Sequence, residues 1–119
     1  MKYIDFTTFA ALYGEAVEYS NVDLFILERG WQEKWMEDLG VTKIVQILQE
    51  IYFLAHHSFS EVREKHGANR TAFSRKYYIP SRSLQEWETG NRTAPVYVTL
   101  LLYYTLFLDA IFGEEAGEQ

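Results

Sequence analysis

The chain has 119 residues, 48% of them apolar and 17% aromatic, which suits one folded core or a small domain with a helical extension and excludes a disordered tail. It contains no cysteine, so disulfides and thiol catalysis are excluded, and a reducing cytoplasm is the expected location. A net charge of −6 weighs against simple nucleic-acid binding unless the positive charge is segregated.

The first residues, MKYIDFTTF, carry an acid at position 5 and no long apolar run, and do not read as a signal peptide. Asp5 is placed to cap a helix running to about residue 19, with Phe6, Phe9, Tyr13, Ala16 and Val17 on one stripe. Asn21 can cap a second helix over 22–29. Gly30 breaks the pattern, residues 31–39 read as a further turn or two, and Gly40 closes them. Trp31 and Trp35 stand four apart and read as core or interface anchors. Residues 41–57 are long and apolar, with Val41, Ile44, Leu48, Ile51 and Ala55 on one face and Val45 and Tyr52 beside it. Segment 1–57 holds four Lys/Arg against nine Asp/Glu. It is expected to be an acidic helical segment, suited by charge to a basic protein partner.

Residues 70–95, RTAFSRKYYIPSRSLQEWETGNRTAP, carry the strongest pattern. Phe73, Ser74, Tyr77, Ile79, Leu84 and Trp87 fall where two short helices would cross closely. Pro80 suits the first position of the second helix, Ser81 or Ser83 can cap it, and Gly90 can close it in the left-handed conformation. Such a helix presents Ser81, Arg82, Gln85 and Glu86 outward, and two helices with a tight turn can enter a DNA major groove. Arginine suits guanine, glutamine suits adenine, and glutamate accepts from the cytosine amino group. Arg70, Arg75, Ser83, Asn91 and Arg92 flank that face and complete the expected DNA-binding set. Segment 58–112 holds seven Lys/Arg against five Asp/Glu, so the positive charge sits with the motif.

These residues resemble the lambda-repressor-like (Xre-type) helix-turn-helix DNA-binding family over about residues 58–108. The likeness lies in the Trp87-Glu88-Thr89-Gly90 ending of the second helix, the loop from Arg92 to Pro95, and Arg63 on the preceding helix. The resemblance implies that Arg63 and Glu88 form a structural pair. It also implies a repressor of bacterial or phage type, a homodimer on double-stranded DNA that blocks a promoter sterically. The sequence departs from the family pattern at Tyr78, where a glycine is usual in the turn, and at Arg70, where a glutamine usually opens the first motif helix. A non-glycine residue in the left-handed conformation costs about 1–2 kcal/mol.

The last helix is expected over 95–112, with two apolar stripes: Tyr97, Leu101, Tyr104, Leu108 and Ile111, and Val96, Leu100, Tyr103 and Phe107. One stripe can cover the motif helices, leaving the other for the N-terminal helices or a second subunit. The apolar run 100–112, interrupted by Thr105 and Asp109, reads as too short to span a bilayer, so no membrane partner is expected. Residues 113–119 form an acidic tail with Glu114, Glu115 and Glu118. His56, His57 and His66 lack ligand spacing, and no nucleophile–base pair or phosphate loop is visible. Neither a metal, a cofactor nor an enzymatic activity is therefore expected. The expected fold is all-α, an N-terminal helical segment (1–57) packed on a C-terminal lambda-repressor-like helix-turn-helix (58–112). The expected function is sequence-specific transcription regulation. The alternative is a protein-binding inhibitor or adaptor whose acidic helices hold a basic nucleic-acid-processing enzyme.

Overall fold

Residues 4–29 and 33–117 are described by a computed structural model, and within them the chain forms seven α-helices, one 3-10 turn and no strand. Local capping starts the first two helices. Asp5 accepts from the Thr8 N–H at 2.8 Å and opens α1 (Phe6–Val17). Asn21 accepts from Asp23 and Leu24 and opens α2 (Val22–Leu27). Each side chain thereby satisfies backbone donors that a helix start leaves without partners. The next segment holds only a 3-10 turn, Lys34–Met36, in place of the helical turns expected to residue 39. The left-handed residue there is Asp38, φ 67°, and not Gly40. Gly30 and Trp31 lie outside the described residues, while Trp35 is half-buried and its indole N–H donates to Glu33 at 2.8 Å. There follow α3 (Val41–His56), α4 (Phe59–Lys65), α5 (Arg70–Tyr77), α6 (Ser81–Thr89) and α7 (Val96–Gly117).

The chain divides into two units: residues 1–56 with 101–119, and residues 57–100. The segment read from sequence as 58–112 is thus split after Leu100. In the first unit α1 and α2 pack on α3. The aromatic rings of Phe9 and Phe107 lie 5.2 Å apart, and those of Tyr13 and Tyr103 6.1 Å apart, which ties α7 to α1. Leu12, Phe25, Ile47, Leu48, Ile51, Leu54 and Leu106 fill the rest of this core. Val17 and Val41, expected on the apolar stripes, are exposed, and Leu12, Ile47 and Leu54 hold the buried positions instead. The buried arc of α3 also takes in Glu50. At the end of α3 the His56 ring stacks on Tyr52 at 4.0 Å, and its Nε2 lies 2.7 Å from the Ala16 carbonyl.

Helix α7 runs 22 residues, five beyond the expected end at Phe112. Thr105 does not interrupt it, because its hydroxyl donates to the Leu101 carbonyl one turn back at 3.0 Å. The run 100–112, read from sequence as too short to span a bilayer, lies within this longer helix. Residues 96–113, with a mean hydropathy of 1.7, are long and apolar enough by length and composition to cross one. The buried side is Leu102, Tyr103, Leu106, Phe107 and Phe112. Of the two stripes read from the sequence, Val96, Tyr97 and Leu101 are exposed.

Candidate nucleic-acid interface

The second unit is built on capped short helices. Ser58 and Glu61 form a capping box at α4: the Ser58 hydroxyl accepts from the Glu61 N–H, and the Glu61 carboxylate accepts from the Ser58 N–H. Asn69 caps α5 through the Ala72 N–H at 2.8 Å. Both α4 and α5 pack on α6, around Val62, Phe73 and Leu84, which are buried, and the ring of Phe59 lies 5.9 Å from that of Trp87.

Ser74 ties the turn between α5 and α6. Its backbone carbonyl accepts from Tyr78 and Ile79, and its hydroxyl donates to the Ile79 carbonyl. It is small enough to be buried at this close approach, and its hydroxyl lies 3.2 Å from that of Ser81. Pro80 stands at the N-cap of α6 instead of its first helical position, and no side chain caps that end. Neither Ser81 nor Ser83 fills the role expected of it: α6 opens at Ser81 itself, one residue too late for that hydroxyl to act as N-cap. Gly90, φ 82°, closes the helix.

The far end of α6 is clamped. The Arg63 Nε donates to Glu88 Oε2 at 2.8 Å and its Nη2 to Oε1 at 3.1 Å, a two-pronged contact that fixes orientation as well as charge. The remaining prong, Nη1, donates to the Ala68 carbonyl at 2.9 Å. Ser60 donates to Glu88 at 3.0 Å, and Arg70 approaches it at 3.3 Å. The Glu88 side chain is 2% exposed and that of Arg63 13%. Burial alone would raise the Glu88 pKa, but the hydrogen bonds from Arg63 and Ser60 and the charges of Arg63 and Arg70 outweigh it, holding the carboxyl below its ordinary value.

Ser81, Arg82 and Gln85 are exposed, with Leu84 buried beneath them. Arg75 and Asn91 are exposed as well, Ser83 is half-buried, and Arg70 is half turned toward Glu88. Glu86, expected to point outward, is half-buried, and its carboxylate lies 3.4 Å from the exposed Arg92, so two residues read separately as DNA contacts are paired with each other. Ser60 and the Ala68 carbonyl were not legible as parts of this arrangement, while Ser74 was read at the helix crossing and is buried. The Ser58-x-x-Glu61 spacing was a readable signal for the start of α4. Comparisons with protein-family models, characterised proteins and solved structures find no match to this chain.

Proposed function

We propose that this protein is a sequence-specific DNA-binding transcription regulator of the lambda-repressor-like helix-turn-helix kind, with α6 as the helix that enters the major groove. The observation that carries this reading is the outward face of α6, where Ser81, Arg82 and Gln85 are exposed on a helix held from behind by Leu84 and at its end by Glu88. The charge distribution supports it. Residues 57–100 hold seven Lys/Arg against four Asp/Glu, net +3, while the rest of the chain is net −9. Phosphate attraction therefore comes from the unit that carries the reading helix. Arg70, Arg75 and Arg92 hold the backbone, and promoter occlusion gives repression, as the resemblance to bacterial and phage repressors implies.

Anisotropy of a labelled random-sequence duplex at two salt concentrations tests this. Binding at low salt that falls steeply as salt rises is expected, with a log–log slope of about −3 if three phosphates are neutralised. Absence of binding at low salt overturns the reading.

The regulator is proposed to be a dimer, because paired reading helices address two half-sites about one DNA turn apart. Tyr97 and Leu101 stand four residues apart on α7 and are 68% and 52% exposed, while Tyr104, next on that stripe, packs on Phe6 and Phe9 of its own chain. An exposed pair at that spacing suits a helix–helix seam between copies. Sedimentation should give a dimer at micromolar concentration, and Leu101→Glu should give a monomer of unchanged helix content. A monomeric wild type removes the dimer from the proposal.

A further inference from the structure

Tyr78 closes α5 in the left-handed conformation, φ 56°, ψ 40°. The other non-glycine residue with positive φ among the described residues is Asp38. Aspartate tolerates that region better, since its short polar side chain can hydrogen-bond locally, and tyrosine has no such means. Packing does not compensate, because Tyr78 is 93% exposed. An aromatic ring in water on a strained backbone position serves folding poorly, and strain of this kind collects at functional sites.

The position itself supplies the role. Tyr78 lies between the last turn of α5, with Arg75 and Lys76, and the first turn of α6, with Ser81 and Arg82. Its backbone N–H and that of Ile79 both donate to the Ser74 carbonyl, so the phenol projects from a fixed base. We propose that the Tyr78 hydroxyl donates a hydrogen bond to a phosphodiester oxygen of duplex DNA when α6 occupies the groove. Tyrosine hydroxyls are among the groups that bind the DNA backbone, and such contacts set register without reading sequence. This assignment rests on the reading of α6 given above.

Tyr78→Phe and Tyr78→Gly test it together, with affinity for a random-sequence duplex and thermal melting as readouts. Both variants should bind about fivefold to tenfold more weakly, the loss of one hydrogen bond to a charged group at an exposed site. The salt slope should stay that of the wild type, because a neutral hydroxyl releases no counterion. Tyr78→Gly should melt a few degrees higher, relieved of strain, while Tyr78→Phe keeps the strain and melts with the wild type. Stability rising as binding falls is the signature of a residue kept for contact. Tyr78→Phe at wild-type affinity, in a protein that binds duplex DNA, overturns this assignment alone. A wild type that fails to bind duplex DNA at low salt overturns it together with the proposed function.

Discussion

Glu88→Ala is expected to lower the melting temperature by on the order of 10 °C, the largest loss from any single polar substitution in residues 57–100. The variant removes the acceptor for two prongs of the Arg63 guanidinium and for Ser60, in a position where the Glu88 side chain is 2% exposed. A guanidinium that is itself only 13% exposed then keeps the Ala68 carbonyl and the nearby charge of Glu64, but loses its two-pronged acceptor. Stranding a buried charge in this way costs about 3–5 kcal/mol, far more than an exposed ion pair contributes. Glu88→Gln should lose less, because the amide oxygen still accepts from Arg63. Arg63→Ala combined with Glu88→Ala should destabilise by less than the two single losses added, since the second deletion removes the stranded charge. The pH dependence has a definite sign. Glu88 has a lowered carboxyl pKa in the folded chain, so its contribution is present above the ordinary value of 4.5 and is lost as pH falls through the lowered one. Glu88→Gln should therefore show a flatter melting profile below about pH 4.5. A Glu88→Ala protein that melts like the wild type would show that the clamp adds nothing to stability.

What was legible in the sequence followed the range of the interaction that decides each feature. Helix starts depend on neighbours two or three residues apart, so Asp5 and Asn21 were readable as caps. The choice of buried face depends on distant partners. In α7 nearly every side of the helix is apolar, and periodicity could not separate Leu102 and Leu106, which are buried, from Tyr97 and Leu101, which are not. The same limit misplaced Val17 and Val41, each within one turn of residues that are buried. Glu50 was invisible as a buried residue because a carboxylate on a helix normally marks the solvent side. In the candidate interface, Arg63 and Glu88 stand 25 residues apart and were paired only through the family resemblance. Ser60, which shares the Glu88 carboxylate, carries no local signal that separates it from any surface serine, whereas Ser74 stands out as a small residue among the apolar ones at the helix crossing and is buried there.

Arg82→Ala is expected to weaken the tightest duplex selected from a random pool by about tenfold to a hundredfold, and to relax preference at one base pair. Arg82 is the second residue of α6 and is exposed, so its guanidinium is available at the end of the helix that leads into the groove in the proposed complex. Its fork can span guanine O6 and N7, a contact that discriminates against other bases by about 1–3 kcal/mol. Arg70→Ala should behave differently. Arg70 sits at the opening of α5, leaning on the Glu88 carboxylate at 3.3 Å, and contacts phosphate in the proposed complex. Its loss should weaken all sequences alike and reduce the salt slope by about one. The two variants therefore separate base reading from backbone holding within a single titration series. Gln85→Ala should change the preferred sequence more than the overall affinity, since glutamine pairs with adenine without adding charge. Because Arg82 makes no contact in the clamp around Glu88, Arg82→Ala should melt with the wild type, so a binding loss cannot be assigned to unfolding. If Arg82→Ala and Arg70→Ala both bind duplex DNA like the wild type, this face does not read DNA. Function would then lie with the unit formed by residues 1–56 and 101–119, whose net charge of −9 suits a basic protein partner.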